Sequence, residues 1–287
     1  MSASCTLVTY SGLPDLDPDD LPLVEALSRL GVDCRVARWD DPDYRWDATE
    51  HVLLRTTWDY HLHLLDFMSW LDRIKSVTCV WNPVDLVKWN VNKTYLLRLQ
   101  KAGVPVVPTR LLSHGLPANL STLLDETGWE EAIIKPVVGL ATHGVKRLSR
   151  ADLNEGQTAL RALLESDDVL LQKFLPSVND YGERALMFFN GEYSHAVRKT
   201  AFQALAHTGG AGETAAEATE AELAVARQAL QFLEKPPLYA RVDLVPDGAG
   251  QPVIMELELV EPSLFFAYKP GSAERFASIF VDVAGMT

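Results

Sequence analysis

The chain has 287 residues, 47% of them hydrophobic, and a formal net charge of −13, enough for one large or two to three small globular units. That charge opposes a nucleic-acid partner, whose phosphates would be repelled over most of the surface, but leaves room for a local basic pocket. There is no apolar run of the roughly 20 residues a membrane span needs and no secretion-signal pattern at the start, and Cys5, Cys34 and Cys79 lack CxxC spacing, so a reducing cytoplasm is the expected setting.

Strand-like and helix-like patterns alternate over the first ninety residues. Residues 5–10, 32–39, 51–56 and 78–81 read as strands, and 20–30 and 67–74 as helices, the first closed by Gly31. Such alternation predicts a mostly parallel sheet covered on both faces, with ligands at the carboxyl ends of its strands. The segment Arg55-Thr-Thr-Trp-Asp-Tyr60 follows one such strand and is expected to face a cleft. One long helix is predicted over 85–101, closed by Gly103 and Pro105. A smaller unit follows: strand 104–112, helix 120–127, strand 132–138, a glycine-bounded loop, strand 145–148, helix 152–164 and strand 169–174. The third region has strands 183–190 and 193–200 around the hairpin turn Asn190-Gly191. A loop over 201–219, rich in Ala, Gly and Thr, reads as mobile; then come helix 220–233 and strands 238–245 and 253–260, joined through Asp247-Gly248.

The last hairpin carries the most chemistry. Residues two apart on a strand share a face, so Arg241 pairs with Asp243, and Glu256 with Glu258. If the strands pair through the intervening turn, three carboxylates converge beside an arginine. They would repel one another unless a cation neutralised them, and oxygen ligands suit Mg²⁺ on nucleotide phosphates. The competing reading is a solvated acidic sheet face. In Ile133-Ile-Lys135-Pro136, a lysine ends an apolar strand next to the loop Gly139-Leu-Ala-Thr-His-Gly144, a pattern that suits a phosphate or an ordinary surface turn. The loop lacks the Lys-Ser/Thr of a P-loop, and no GxGxxG, GxSxG or HExxH occurs.

In order and spacing, these pieces over roughly residues 85–262 resemble the ATP-grasp superfamily. The resemblance implies an α/β and α+β chain: an ATP-grasp fold preceded by a Rossmann-like pre-ATP-grasp domain. The expected boundaries are 1–91 for the N-terminal domain, 92–175 for the small lid subdomain and 176–287 for the C-terminal subdomain with the metal and catalytic residues. It implies ATP and Mg²⁺ as cofactors. Lys93 and Lys135 look like the two phosphate-touching lysines, and Gly139, Thr142 and Gly144 like the covering loop. Gln172, Lys173, Phe174 and Leu175 look like the adenine hinge, with Asp180 toward the ribose. Asp243, Glu256 and Glu258 look like the magnesium ligands, although the usual third ligand is Asn. Arg241 looks like the residue stabilising a tetrahedral intermediate, with Arg198 and Lys199 beside it as further catalytic candidates.

Arg55 to Tyr60, Trp81-Asn-Pro83, Trp89-Asn90, Gly182-Glu-Arg184, His195-Ala-Val-Arg-Lys199 and Glu256-Leu-Glu-Leu-Val-Glu-Pro262 are similar to the bacterial D-cycloserine-forming cyclo-ligase group, which closes O-ureido-D-serine with ATP. The resemblance implies a ligase that activates a small amino-acid-like carboxylate as an acyl phosphate for attack by nitrogen. Candidate substrate contacts are Arg55, Trp58, Asp59, Tyr60, Arg184, Glu261 and Ser263, with Arg198 toward the carboxylate and Asp59 toward the ammonium. Competing readings are a dipeptide ligase, a small-molecule kinase and a nucleotide-binding regulatory module without turnover. The expected partner is a small molecule, with neither nucleic acid nor membrane, and a homodimer is the candidate assembly.

Overall fold

Alternating apolar strands and amphipathic helices in the first eighty residues build a parallel sheet with strand order β2-β1-β3-β4. Its elements are β1 (Ser4–Thr9), α1 (Leu21–Arg29), β2 (Asp33–Arg38), β3 (His51–Leu54), α2 (Leu64–Ile74) and β4 (Cys79–Trp81) in a computed structural model that describes residues 3–140, 144–200 and 212–286. Helix α2 buries Phe67, Trp70, Leu71 and Ile74, the i, i+3, i+4, i+7 stripe that turns one helical face to a core.

The single helix expected over 85–101 is two helices, α3 (Val84–Val91) and α4 (Tyr95–Lys101). Asn92 takes an extended conformation and its side chain accepts from the Thr94 N–H at 2.9 Å, an Asx-type turn. The Lys93 N–H leaves the helical ladder and donates to the Val137 carbonyl at 2.7 Å. A tertiary hydrogen bond therefore replaces an intrahelical one and sets Lys93 beside the end of a distant strand.

The second sheet, order β5-β8-β6-β7, is antiparallel. It contains β5 (Thr109–Leu112), α5 (Leu120–Thr127), β6 (Glu131–Pro136), β7 (Lys146–Ser149), α6 (Leu153–Leu164) and β8 (Val169–Lys173). Leu120, Leu124, Leu160 and Leu164 of the helices pack with Ile134, Leu148, Val169 and Leu171 of the sheet. The strand expected from 104 begins only at Thr109. Pro105 and Pro108 lack the N–H a ladder needs, and Val106 instead bridges Ile254 in the third sheet.

That third sheet has order β11-β10-β9-β12-β13. Its strands are β9 (Glu183–Phe189), β10 (Glu192–Lys199), β11 (Glu213–Ala216), β12 (Tyr239–Pro246) and β13 (Pro252–Glu258), with α7 (Glu220–Gln231) on one face. At the β9–β10 turn, Asn190 and Gly191 have φ of 49° and 81°, the signs a tight hairpin turn demands. The loop expected over 201–219 contains β11, which pairs with the edge of β10; residues 201–211 lie outside the described residues. A further helix, α8 (Ser272–Ala284), was not expected from the sequence. It buries Phe276 and Phe280 in a core shared by Leu7 and Leu53 of the first sheet and Met187 and Tyr239 of the third. Among the described residues, no helix is long and apolar enough to cross a membrane.

Candidate functional site

The register of β12 and β13 sets Arg241 opposite Glu258 and Asp243 opposite Glu256. Strand alternation sends these four side chains to one face, while Val242 and Leu257 join the core against α7. Carboxylate oxygens of Asp243, Glu256 and Glu258 lie within 4.8 Å of one another. The charges are matched from four elements. Arg241 Nε donates to Asp243 Oδ1 at 3.0 Å, its Nη2 bonds both Asp243 and Glu258, and its Nη1 reaches the Ser263 carbonyl at 3.3 Å. Lys199 of β10 lies 2.7 Å from Asp243 and 2.9 Å from Glu183. Lys93 and Lys135 each place Nζ 3.1 Å from the same oxygen of Glu256. The helix break after Val91 and the end of β6 thus deliver two lysines from outside the third sheet to its carboxylates.

Protonation follows from these contacts. Burial would raise Glu256, but Lys93 and Lys135 hold its pKa well below the usual range. Asp243 is lowered likewise, burial being outweighed by Arg241 and Lys199. Glu258 is raised by burial, with Arg241 opposing and Asp243 and Glu256 adding repulsion. Burial depresses Lys135 despite Glu256, with Lys93 adding to the depression; for Lys93, Glu256 and its acidic neighbours overcome burial and raise the pKa. Three converging carboxylates form a hard-oxygen donor set that fits Mg²⁺, and the two lysines beside them suit phosphate oxygens.

Side chains from the 82–95 segment hold the outer edge of β13. Asn90 Nδ2 donates to the Leu257 carbonyl and its Oδ1 accepts from the Leu259 N–H, both at 2.8 Å. Tyr95 Oη accepts from the Leu257 N–H at 3.0 Å, and Asn82 Nδ2 donates to the Leu259 carbonyl at 2.8 Å. These contacts flank Glu258 on both sides and satisfy a buried strand edge without another strand. Asn82, Asn90 and Glu183 stand within the motifs singled out in the sequence but carry no expected task there, and Tyr95 stands in none of them. A buried Asn beside Trp, in Trp81-Asn82 and Trp89-Asn90, was the available signal.

Several expected substrate contacts are placed elsewhere. Arg55 is 1% exposed and faces no cleft; it donates to Asp20 and to the Pro262 carbonyl, both at 2.9 Å. Its task is to join the first unit to the turn after β13. Asp59 accepts from Trp39 Nε1 at 2.7 Å and Trp58 Nε1 donates to the Glu261 carbonyl at 3.3 Å, so both serve packing between elements. Arg184 and Arg198 pair across β9 and β10, one residue out of phase with Glu183 and Lys199. The pleat therefore points them to the face opposite the carboxylates. There Arg184 lies 3.5 Å from Glu222 of α7, and Arg198 donates to the carbonyls of Tyr181 and Asp180 at 2.6 and 2.7 Å.

Tyr60 does reach the recess beside the carboxylates, which it lines with Lys93, Tyr95, Leu140, Glu258 and Glu261. Ser263 contributes its carbonyl to Arg241. In the expected hinge, Gln172 is buried and donates to Thr109 Oγ1 at 2.9 Å. The N–H groups of Lys173 and Phe174 already donate to the carbonyls of Pro108 and Glu131, so neither is available to a base. Phe174, Leu175 and Val178 pack with Val107, Val245 and Val253, an apolar layer between the second and third sheets. Asp180 is exposed at the end of the turn that follows. In the covering loop Gly139 is buried, and Gly144 has φ +74° where a Cβ would stand 3.0 Å from Pro136; Thr142 lies outside the described residues.

Known proteins resemble this chain over nearly its whole length. The family model for the N-terminal domain of D-cycloserine synthetase DcsG matches residues 5–82. The cycloserine biosynthesis protein DcsG of Streptomyces lavendulae is 33% identical over 290 residues, which cover 96% of this chain and 97% of that protein. The crystal structure of D-cycloserine synthetase DcsG superposes with a TM-score of 0.90 at 31% identity, covering 98% of this chain and all of that one (100%). The fold is shared with the ATP-grasp ligase PsnB, solved with a minimal precursor, Mg and ADP (TM-score 0.66, 17% identity, 98% of each chain). It is shared too with the D-alanine–D-alanine ligase of Bacillus anthracis (TM-score 0.68, 15% identity, 99% of this chain and 97% of that one).

Proposed function

The chain belongs to the DcsG family of ATP-grasp ligases, and from that premise we propose that it takes Mg-ATP, activates the carboxylate of an amino acid as an acyl phosphate, and closes a ring by attack of the substrate's own nitrogen with phosphate leaving, the carbamoyl group on that nitrogen being lost by hydrolysis, as in D-cycloserine formation from O-ureido-D-serine. The observation that carries the reading is the delivery of Lys93 and Lys135 to Glu256, facing Arg241, Asp243 and Glu258. A carboxylate is a poor electrophile because its charge repels nucleophiles, and phosphorylation supplies a leaving group. Asp243, Glu256 and Glu258 would hold Mg²⁺, which offsets charge on the migrating phosphoryl group.

Lys93 and Lys135, which share one oxygen of Glu256, would hold the phosphate oxygens of the nucleotide. The buried layer of Phe174, Leu175 and Val178 would border the base. Arg241 stays charged and is held on Asp243, Glu258 and the Ser263 carbonyl. A guanidinium fixed in this way stabilises a developing oxyanion without reorganising. Leu140 and Tyr60 border the recess and keep water from the activated carboxyl. The three units are proposed as the domains 1–91, 92–175 and 176–287, with the chemistry where they meet.

The test is incubation with Mg-ATP and O-ureido-D-serine, alongside a panel of amino acids, recording phosphate release and product mass. A product with the mass of the closed ring supports the reading. Phosphate release only with pairs of amino acids, giving a dipeptide mass, replaces ring closure with the dipeptide reading.

A further inference from the structure

Among the described residues, the recess beside the carboxylates contains one acidic side chain that the metal cluster does not use. Glu261 is 4% exposed and lines the recess with Tyr60, Lys93 and Glu258. Its backbone carbonyl is taken by Trp58, and the carbonyls of Pro262 and Ser263 by Arg55 and Arg241. The segment is therefore fixed, and the Glu261 side chain is left facing the recess. Its carboxylate has no ion pair and no hydrogen bond from another side chain among the described residues; its own backbone N–H helps to hold it, with Lys93 and Arg241 acting at longer range. It also stands outside the group of Asp243, Glu256 and Glu258, whose ligand oxygens cluster within 4.8 Å. A buried carboxylate with no ion pair is costly, and natural interiors keep one where a ligand supplies the missing charge.

We propose that Glu261 receives the α-ammonium group of the amino acid whose carboxylate is activated. The proposal rests on the ligase reading above and deepens it. The activated amino acid's own amine cannot attack its own acyl phosphate, because a three-membered ring would result. It is a spectator in ring closure and in dipeptide formation alike, and a positive handle one carbon from the reacting carboxyl. Arg241 and the metal ligands act on the carboxyl end, and Glu261 lies within electrostatic reach of both Arg241 and Glu258. Asp59, the carboxylate that the sequence offered for this task, is committed to Trp39. Burial, reinforced by Glu258 and only partly opposed by Lys93 and Arg241, raises the Glu261 pKa to about 8.

Wild type and Glu261→Gln are titrated calorimetrically, in the presence of AMPPNP and Mg²⁺, with O-ureido-D-serine and with 3-(ureidooxy)propanoate, which lacks only the amine. Wild type is expected to prefer the amine-bearing compound by about 100-fold, and Glu261→Gln to bind the two equally, losing affinity only for the first. Glu261→Asp, which keeps the charge on a shorter stem, retains part of the preference. A Gln variant that still discriminates overturns the assignment. So does one that loses AMPPNP or Mg²⁺ affinity instead. If wild type binds neither ureido compound, the ring-closure reading fails by itself, and D-serine against 3-hydroxypropanoate then tests Glu261 separately. Absence of an amine preference in that pair too overturns the proposal.

Discussion

Replacing Asn90 with Ala removes the amide that bonds the β13 backbone on both sides of Glu258, at the Leu257 carbonyl and the Leu259 N–H. Both backbone groups are buried, and among the described residues no other strand lies beyond them to take over. Leaving one donor and one acceptor unpaired costs about 1–3 kcal/mol each, so the loss is about 2–6 kcal/mol. In a chain of this size each kcal/mol moves Tm by about 2–4 °C, and a fall of about 4–24 °C is expected by calorimetry. The functional consequence is separate. A freed β13 edge lets Glu256 and Glu258 drift, and a metal site held about 1 Å too loosely loses affinity. The Mg²⁺ concentration for half-maximal phosphate release should rise about tenfold, an effect like that of losing a supporting contact around a metal ligand. Asn119→Ala is the control. It removes the cap of α5, where Asn119 accepts from the Thr122 N–H at 2.9 Å, and should lower Tm without altering Mg²⁺ dependence. An Asn90→Ala enzyme with wild-type Tm, or with unaltered Mg²⁺ dependence, refutes the argument.

Asp243→Asn and Glu256→Gln should each lower Mg-dependent phosphate release by about 100-fold or more while circular dichroism stays unchanged; near-normal release in both would remove the metal assignment. Glu258→Asn, which restores the more usual ligand set and subtracts one charge, should keep partial activity, and complete inactivity with unaltered metal affinity would give Glu258 another task. Arg198→Ala should leave the KM for either substrate within about threefold of wild type, because its guanidinium serves the Asp180–Tyr181 turn; a large rise in KM would show that it reaches the cleft after all. Stability against pH reports on Glu261 without ligand. Its folded pKa of about 8 exceeds the ordinary 4.5, so its contribution is intact below about pH 4.5 and is lost as pH rises through 8, by at most about 5 kcal/mol. Ligand-free Glu261→Gln should therefore be more stable than wild type at pH 8.5, with the advantage gone near pH 5, and a pH-independent difference would contradict the shift.

The pairing of Arg241 with Glu258 and Asp243 with Glu256 was legible because a strand has period two and the hairpin turn limits the register. The same rule, applied to Arg198 and Lys199, would have separated them, since neighbours on β10 face opposite sides of the sheet. The stripe of Ala273, Phe276, Ala277 and Phe280 that makes α8 a helix was legible too, yet it was not drawn out. Other features depend on partners remote in sequence. The break after Val91 is fixed by a hydrogen bond from Lys93 to Val137, for which Asn92 is the one local sign and the remote partner gives none. Arg55 looked like a cleft residue because its strand ends there. Its burial is decided by Asp20 and Pro262, 35 and 207 positions away. Asp59 was lost to the cleft for a similar reason, its partner Trp39 lying on a neighbouring connection.

The central claim is that the substrate carboxylate is phosphorylated before nitrogen attacks it. Oxygen transfer tests this most directly. O-ureido-D-serine labelled with ¹⁸O in its carboxylate is turned over with unlabelled ATP and Mg²⁺, and the released phosphate is examined by mass spectrometry. An acyl phosphate leaves with the bridging oxygen, so one carboxylate ¹⁸O should appear in each phosphate released by ligation. Turnover to the ring product with unlabelled phosphate would contradict the account.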